Sequence, residues 1–303
     1  MKRYKKEDPN KLDIGEVFYA KRFGLTVDRR LCKGCDVCKV VCPREAITLK
    51  PVAKGPDGKA LPPIIDIDEN KCDFHAICAA ACPFSAIRVT VNGQDKTPAV
   101  EKEVYPALLR DIQIDSERCQ PDCRICEEKC PLGIVSVRFE PLTASQIKER
   151  RKALLPATSA RTVLEVKKEL CPTCQICQTA CPAKVIKVTK FFDGSIRIKQ
   201  ELCPPGCHDC LDVCPVEALH SVEDGKVSVN SMMCIYCGAC LNVCPKPEAL
   251  ELKRTSIRHT QVKSGAWNKA LEKLTSTTGL DKELAAKRMS KAREAIQNLK
   301  SRR

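Results

Sequence analysis

Short stretches of alternating apolar and polar residues recur along the chain, and many of their apolar members are β-branched. A period of two of this kind predicts half-buried strands. The stretches flank six cysteine-rich segments, one before each segment and one after it. The first pair is LTVDRRLC at residues 25–32 and AITLKP at residues 46–51. The pattern therefore predicts six repeats of strand, loop, short helix and strand.

The cysteine-rich segments share one spacing and account for all 23 cysteines. Three runs have gaps of two, two and three residues: Cys32, Cys35, Cys38, Cys42; Cys171, Cys174, Cys177, Cys181; and Cys234, Cys237, Cys240, Cys244. Two runs have one extra residue in the first gap: Cys119, Cys123, Cys126, Cys130; and Cys203, Cys207, Cys210, Cys214. The sixth run holds Cys72, Cys78 and Cys82, with His75 at the position of the second cysteine.

A proline follows every run, at positions 43, 83, 131, 182, 215 and 245. Proline is favoured at the first position of a helix, where its missing N–H leaves no hydrogen bond unmade. The sequence therefore predicts that each short helix begins at the proline.

Three chemistries use closely spaced cysteines, namely disulfides, zinc sites and iron–sulfur clusters. An odd number of cysteines at such short spacings does not suit disulfides. Zinc ribbons use two Cys-x2-Cys pairs separated by a long loop, whereas three cysteines are crowded into one turn in this protein. The run is that of bacterial [4Fe-4S] ferredoxins, whose fourth cysteine binds the other cluster of a two-cluster unit. The spacing therefore favours iron–sulfur clusters.

Two features of the sequence bear on the cellular compartment: the lack of a secretory signal or membrane span, and the many free thiols, which require a reducing environment. Residues 1–23 are charged throughout and lack the features of a secretory signal. No uninterrupted apolar run approaches the length of a membrane span. Thiolate ligands persist in reducing compartments, so we expect a cytoplasmic protein without a membrane span.

Residues 23–252, which contain the six runs, resemble the polyferredoxins, in which two-cluster ferredoxin domains follow one another along the chain. This family is best known from methanogenic archaea, beside formylmethanofuran dehydrogenase and certain hydrogenases. The sequence is most similar to those polyferredoxins that accompany formylmethanofuran dehydrogenase. The resemblance implies an α+β fold with three tandem ferredoxin-like βαββαβ domains and six [4Fe-4S] clusters.

Pairing successive repeats predicts the domain boundaries. The segments are a basic amino-terminal arm at 1–22, domains at 23–98, 104–193 and 194–252, a helical insertion at 141–160 and a basic helical tail at 253–303. One alternative remains, because Asp193 and Gly194 carry a turn signal. The fourth and fifth runs could then pair inside a domain made by the third and sixth. Short, uncrossed connections favour sequential pairing.

For sequential pairing, the resemblance implies six groups of ligands, which we call sites 1 to 6. Site 1 is Cys32, Cys35, Cys38 and Cys82; site 2 is Cys72, Cys78 and Cys42, with or without His75; site 3 is Cys119, Cys123, Cys126 and Cys181. Site 4 is Cys171, Cys174, Cys177 and Cys130; site 5 is Cys203, Cys207, Cys210 and Cys244; site 6 is Cys234, Cys237, Cys240 and Cys214.

His75 has two interpretations. It can bind iron as the fourth ligand of a [4Fe-4S] cluster, since histidines replace cysteines in Rieske centres and raise the potential there. It can instead be a bystander beside a [3Fe-4S] cluster that lacks one corner. We favour ligation. His208 lies beside a run with all four cysteines present, so we expect it to be a solvated loop residue.

Charge and the carboxyl-terminal sequence bear on partners. The formal charge of +14 collects at the two ends, while oxidised clusters would make the middle electronegative. Residues 279–303 place Ala285, Met289, Ala292, Ile296 and Leu299 on one apolar stripe of a helix. The stripe can pack on the protein's own domains or dock on a partner subunit, and we favour docking. No motif supports nucleic-acid binding, and a membrane-surface helix is the weakest alternative.

Two classes of function remain. The protein can be a non-catalytic electron carrier between oxidoreductase subunits that act as donor and acceptor, or an iron–sulfur enzyme with its own substrate site. The segments outside the cluster runs contain no phosphate loop, dinucleotide fingerprint or nucleophile motif. We therefore expect an electron-transfer subunit and no enzyme. Storage of iron and sulfur is a remote third class.

Overall fold

The computed structural model describes residues 2–153, 159–222, 225–263 and 265–275. Most helices in these ranges have only four or five residues, so strands make up most of the regular structure. Across the same ranges, no helix is both long enough and apolar enough to cross a membrane.

The amino-terminal residues form strands. β1 (Lys2–Glu7) and β2 (Lys11–Val17) make an antiparallel hairpin that pairs with β3 (Arg22–Asp28). Leu12 and Ile14 are fully buried and pack with residues of β3. The prediction of a basic arm at 1–22 is therefore wrong. β2 buries Leu12 and Ile14, while the charged residues of the hairpin range from exposed, as at Lys6, to buried, as at Glu16.

Strand pairing follows one pattern that repeats three times along the chain. In the first repeat, the strand before the first cysteine run pairs antiparallel with the strand after the second run, and the two inner strands pair with each other. The further elements are α1 (Val37–Val41), β4 (Ile47–Lys50), β5 (Ile64–Ile67), α2 (Ile77–Ala80), β6 (Ile87–Val91), β7 (Gln94–Asp95) and α3 (Pro98–Glu101). The largest sheet has the order β1-β2-β3-β6-β7.

The second repeat surrounds the third and fourth runs. It consists of β8 (Asp111–Ile114), α4 (Ile125–Glu128), β9 (Val135–Pro141), α5 (Ala144–Lys152), β10 (Ala160–Val166), α6 (Ile176–Ala180) and β11 (Ile186–Thr189). β8 pairs with β11 and β9 with β10. The helix α5 lies in the insertion at 141–160, between two paired strands.

The third repeat surrounds the fifth and sixth runs. It consists of β12 (Phe192–Ile198), α7 (Asp209–Asp212), β13 (Leu219–Ser221), β14 (Val227–Val229), α8 (Ala239–Val243) and β15 (Leu250–Ile257). β12 pairs with β15 and β13 with β14. In all three repeats, neighbouring runs in the sequence share one set of paired strands.

The Asp-Gly signal at 193–194 is not a hairpin turn. Both residues lie inside β12, where the register against β15 shifts by a bulge. A β-carbon at Gly194 would collide with the backbone carbonyl of Lys253. Glycine is needed there for the close approach of two strands, which a dipeptide signal cannot distinguish from a turn.

The short helices lie before the prolines and not after them. In the first run, Cys38 is inside α1 and Cys42 ends it. Pro43 then enters a turn in which the amide of Glu45 donates to the carbonyl of Cys42 at 3.2 Å. The same turn follows Cys82, Cys130, Cys181 and Cys214. The predicted helix start is therefore wrong, because proline equally suits the second position of a turn.

The tail folds back on the protein as far as it is described. α9 (Ala266–Thr275) buries Trp267, Ala270 and Leu274 in a core shared with all three repeats. The Trp267 indole also donates to Nε2 of His259 at 3.1 Å. The predicted apolar stripe from Ala285 to Leu299 lies outside the described residues.

That shared core holds the repeats together. Its centre is formed by Phe191 and Phe192, which are 0% and 1% exposed and meet edge to face with ring centroids 4.8 Å apart. The same core contains apolar residues of the first and third repeats: Val37, Val41, Ile77 and Phe84 from the first, and Val213, Val216, Ile235 and Ile257 from the third. The three repeats therefore pack against one another around one core.

Candidate iron–sulfur sites

The structure brings each fourth cysteine to the first cysteines of the neighbouring run. Cys82 adds its charge to the surroundings of the site 1 thiols, and Cys42 does so for Cys72 and Cys78 of site 2. In the second repeat, Cys181 joins Cys119, Cys123 and Cys126, and Cys130 joins Cys171, Cys174 and Cys177. In the third, Cys244 joins Cys203, Cys207 and Cys210, and Cys214 joins Cys234, Cys237 and Cys240.

The cysteines are free thiols, and none of the 23 is in a disulfide. Within the described ranges, no three His, Cys, Asp or Glu side chains converge closely enough to bind a single metal ion.

Left-handed backbone conformations shape the loops around the sites. In the four runs with a two-residue first gap, the residues on both sides of the second ligand position have positive φ: Gly34 and Asp36, Phe74 and Ala76, Thr173 and Gln175, Tyr236 and Gly238. In the two longer runs only the residue before it does, Asp122 or Gly206. The longer first gap thus needs one residue fewer in the left-handed conformation, which costs a non-glycine residue about 1–2 kcal/mol.

Backbone amides donate hydrogen bonds to the cysteine sulfurs. The amide of Thr173 lies 3.4 Å from Sγ of Cys171, and that of Tyr236 lies 3.4 Å from Sγ of Cys234. Corresponding bonds of 3.3 Å run from Ala86 to Cys82 and from Ala218 to Cys214. Such donors stabilise thiolate charge, so the loops are built to hold anionic sulfur.

Burial acts in the opposite direction on the free thiols. It raises the pKa of Cys174 to about 11 and those of Cys177, Cys210 and Cys237 to about 12, with neighbouring cysteines adding to the shift in each group. Thiols with such pKa values stay protonated at neutral pH unless a cation stabilises the thiolate. Crowded, buried thiols with amide donors suit a group that brings several metal ions, as a [4Fe-4S] cluster does.

His75 presents a buried nitrogen without a partner. Its Nδ1 pairs with the carboxylate of Asp73, and its ring meets the edge of Tyr105 with centroids 5.7 Å apart. Nε2 is buried and has no hydrogen-bond partner within the described ranges. A carboxylate on one ring nitrogen is the usual support for a histidine that binds metal through the other. His208, in contrast, is exposed.

The sites differ in depth. At sites 1, 4 and 6, Cys35, Cys82, Cys174, Cys234 and Cys237 belong to the shared core. At sites 3 and 5, three of the four cysteines are half-buried: Cys119, Cys123 and Cys181, and Cys203, Cys207 and Cys244. Site 2 lies under the amino-terminal hairpin, and its three cysteines are buried. We call sites 1, 4 and 6 the inner sites and the others the outer sites.

Sequence reasoning missed several residues that contact the inner sites. Arg110, Lys190 and Arg254 each donate hydrogen bonds to the carbonyl oxygen of a cysteine in an inner site. No spacing distinguishes them from the 52 arginines and lysines of the sequence. The adjacent pair Phe191 and Phe192, in a protein with 4% aromatic residues, was the one hint that this segment enters a core.

Two stretches of the sequence match family models described as 4Fe-4S dicluster domain. They cover residues 31–86, with the first two cysteine runs, and residues 195–245, with the last two. The expectation of ferredoxin-like two-cluster domains in a fold of mixed strands and helices is thereby confirmed.

Curated relatives match over part of their length. Polyferredoxin protein MvhB of Methanothermobacter marburgensis is 33% identical over 106 residues, which are 32% of this chain and 24% of that protein. The polyferredoxin-like subunit of an aliphatic sulfonate oxidoreductase of Pyrococcus furiosus is 33% identical over 87 residues, which are 25% of this chain and 49% of that protein. The matched segments thus span less than half of these relatives.

One solved structure matches nearly the whole chain. It is part of the formate dehydrogenase–heterodisulfide reductase–formylmethanofuran dehydrogenase complex of Methanospirillum hungatei. The TM-score is 0.76 and the sequence identity 30%, over 90% of this chain and 91% of the other. Similarity therefore extends through all three repeats and beyond the two stretches that match family models.

Proposed function

This chain is a member of the polyferredoxin family, and we propose that it is an electron-transfer subunit that carries single electrons through six [4Fe-4S] clusters to or from a larger oxidoreductase. The observation that supports this proposal is that the fourth cysteine of each run lies near the first cysteines of the neighbouring run in the same repeat. When bound, each cluster accepts and releases one electron.

The protein's own residues would hold the clusters and tune them. The ligands are those of sites 1 to 6, divided among three two-cluster domains that correspond to the three repeats. The predicted boundary at 193/194 falls inside β12 and the predicted end at 252 inside β15, so the third domain extends from Phe192 to Ile257. Hydrogen bonds from backbone amides to the cysteine sulfurs and the burial of the inner cysteines would both affect the reduction potentials, because hydrogen bonds to sulfur and solvent exposure are two of the factors that set the potential of such clusters. A reducing cytoplasm would keep the thiols available.

We further propose that His75 is the fourth ligand of site 2. Nε2 is a buried nitrogen with no partner in the described part of the protein, and Asp73 holds Nδ1. A neutral imidazole in place of a thiolate reduces the negative charge of the cluster, which makes uptake of an electron more favourable. Site 2 would then have a higher reduction potential than a site with four thiolates.

The catalytic chemistry would lie in other subunits. Relatives include one component each of a tetrathionate reductase of Archaeoglobus fulgidus and a polysulfide reductase of Wolinella succinogenes, which are parts of larger enzymes by name. Among partners we favour formylmethanofuran dehydrogenase, because the match over 90% of the chain comes from a complex that contains it. That complex also contains heterodisulfide reductase. Heterodisulfide reductase or a hydrogenase is therefore the alternative partner.

An anaerobic electron-transfer assay tests this proposal. The oxidised protein, loaded with clusters, is mixed with formylmethanofuran and a catalytic amount of formylmethanofuran dehydrogenase. We expect the visible absorbance of the clusters to bleach only when both substrate and enzyme are present. A parallel reaction with a hydrogenase and H₂ tests the alternative. If the protein alone oxidised formylmethanofuran, it would be an enzyme in its own right.

A further inference from the structure

A basic side chain lies between the two members of each pair of inner sites. Sites 1, 4 and 6 come from different repeats, and their loops meet around Phe191 and Phe192 in the shared core. The three side chains are Arg110, Lys190 and Arg254. Arg110 contacts ligand residues of two sites, whereas Lys190 and Arg254 each contact a ligand residue of site 6 beside the loop of a second site.

Arg110 lies between sites 1 and 4. Its Nε donates to the carbonyl oxygen of Cys171 at 3.0 Å, and its Nη2 donates to that of Cys82 at 3.0 Å. Its guanidinium carbon lies 5.5 Å from the centre of the Phe191 ring. Burial lowers the pKa of Arg110, while the charges of Cys82 and Cys171 oppose that shift. One cation therefore touches a ligand residue from each of two sites.

Lys190 lies between sites 4 and 6. Its Nζ donates to the carbonyl oxygens of Cys234 at 2.7 Å and Ser231 at 2.9 Å. Burial lowers the pKa of this amine, opposed by the charges of Cys234, Asp193 and Cys174. The amide of the next residue, Phe191, donates to the hydroxyl of Thr173 in the loop of site 4 at 3.3 Å, so Lys190 lies beside both sites.

Arg254 lies between sites 6 and 1 and is 7% exposed. Its Nη2 donates to the carbonyl oxygen of Cys237 at 2.7 Å, and its guanidinium carbon lies 5.4 Å from the centre of the Phe192 ring. A β-carbon on Gly238 would lie 3.2 Å from Nη2 of Arg254 and 3.6 Å from the carbonyl oxygen of Cys35. The loops of the two sites thus approach each other at this arginine.

The surroundings of these cations strengthen their effect on charge. Arg254 is buried and Arg110 and Lys190 are half-buried beside the apolar side chains of the shared core, so their electrostatic interactions are less screened than those at the surface. A cluster gains one negative charge on reduction, and a nearby cation stabilises that charge. Net charge and burial are two of the factors that set the potential of an iron–sulfur cluster.

We propose that Arg110, Lys190 and Arg254 are positioning residues that raise the reduction potentials of the inner clusters, each acting on the two sites that it separates. The inference rests on the proposed function, because it requires clusters at sites 1, 4 and 6. Electrons that enter at an outer site would then collect at the centre, from which each outer site is reached through its partner in the same repeat.

A redox titration of the intact, cluster-loaded protein tests the inference. Dithionite supplies the electrons, and electron paramagnetic resonance reports the reduced clusters at each potential. Lys190→Gln keeps a hydrogen-bond donor for the carbonyl of Cys234 but removes the charge, whereas Lys190→Arg keeps both. We expect Lys190→Gln to move the reduction of about two of the six clusters, those of sites 4 and 6, to lower potential. Lys190→Arg should titrate like the wild type.

A second pair of variants and a control complete the test. Arg254→Gln should lower the reduction potentials of about two clusters, those of sites 6 and 1, and Arg254→Lys should titrate like the wild type. The control is Arg161→Met, which removes an exposed arginine paired with Glu140. It should leave the titration curve unchanged. Titration curves of both glutamine variants that superimpose on the wild-type curve at unchanged iron content would overturn the inference. Loss of iron in both glutamine variants would also overturn it, since the side chains would then only hold the loops. A wild-type protein that takes up no clusters would instead refute the proposed function.

Discussion

At the scale of single residues, the substitution of histidine for cysteine at position 75 can be tested because its surroundings are specific. Nε2 is buried without a partner in the described part of the protein, and Asp73 occupies the other ring nitrogen. A buried nitrogen left without a hydrogen bond costs about 1–3 kcal/mol, and a bond from Nε2 to iron would remove that cost.

His75→Ala should therefore convert site 2 to a three-iron cluster. We expect the iron content to fall by about one atom per chain and the signal of an oxidised [3Fe-4S] cluster to appear in the paramagnetic resonance spectrum. His75→Cys should restore a four-iron cluster with a lower potential than the wild type. His208→Ala, at an exposed histidine in another run, is the control and should change neither quantity. Unchanged iron content and spectrum in His75→Ala would make His75 a bystander.

At the scale of elements, the alternation of apolar residues located the strands around each run, and the cysteine spacing identified the residues that the structure groups. The short helices were misplaced, because the sequence does not distinguish a proline that starts a helix from one that follows it in a turn. The residues with left-handed backbone conformations could not be predicted either, because Phe74, Thr173 and Tyr236 are of types that rarely adopt this conformation.

The amino-terminal hairpin is the element that sequence reasoning treated as an arm, and its contacts indicate what it does. Arg3 pairs with Glu16 through Nε and donates from Nη1 to the carbonyl oxygens of Glu69 and Asn70, at 2.9 Å and 2.6 Å. Burial would raise the pKa of the Asp66 carboxyl, but Lys5 and Lys50 both pair with it and hold that pKa down at about 2. The hairpin therefore fastens the segment that leads into Cys72.

Arg3→Ala should loosen this segment without removing a ligand. We expect hydrogen exchange of the amides at residues 66–72 to become about tenfold faster, because the lost bonds are worth about 1–2 kcal/mol at a partly exposed site. Mass spectrometry of the cluster-loaded protein measures this rate. Lys6→Ala, at an exposed position of the same strand, should leave the rate unchanged. If the two variants exchanged equally, the hairpin would not stabilise the loop.

At the scale of the whole molecule, the three repeats follow one another along the chain and pack against one another around a shared core. The loop at 52–63 reaches the third repeat, where Lys54 pairs with Asp209 and the amide of Ala60 donates to Asp212 at 2.9 Å. Cys35 of site 1 and Cys237 of site 6 are close enough to interact electrostatically. Such contacts join residues far apart in the sequence, so local sequence patterns cannot predict them.

The carboxyl-terminal tail divides into two parts. Trp267, Ala270 and Leu274 of α9 pack into the core, so a deletion from residue 261 would remove part of the fold. Residues 276–303, which hold the predicted apolar stripe, lie outside the described residues, and we predict that they anchor a partner. Deleting them should leave all clusters reducible by dithionite and abolish co-purification with the oxidoreductase. Ile296→Asp with Leu299→Asp should do the same, and a truncated protein that still co-purifies would assign the contact to another surface.

The most direct test of the account is the metal and electron content of one preparation. The full chain, reconstituted without oxygen, should contain about 24 iron atoms and as many sulfides, and should take up about six electrons from dithionite, because six groups of ligands each hold a [4Fe-4S] cluster. A preparation that saturates near half that iron content, or that fills with zinc instead, would contradict the account.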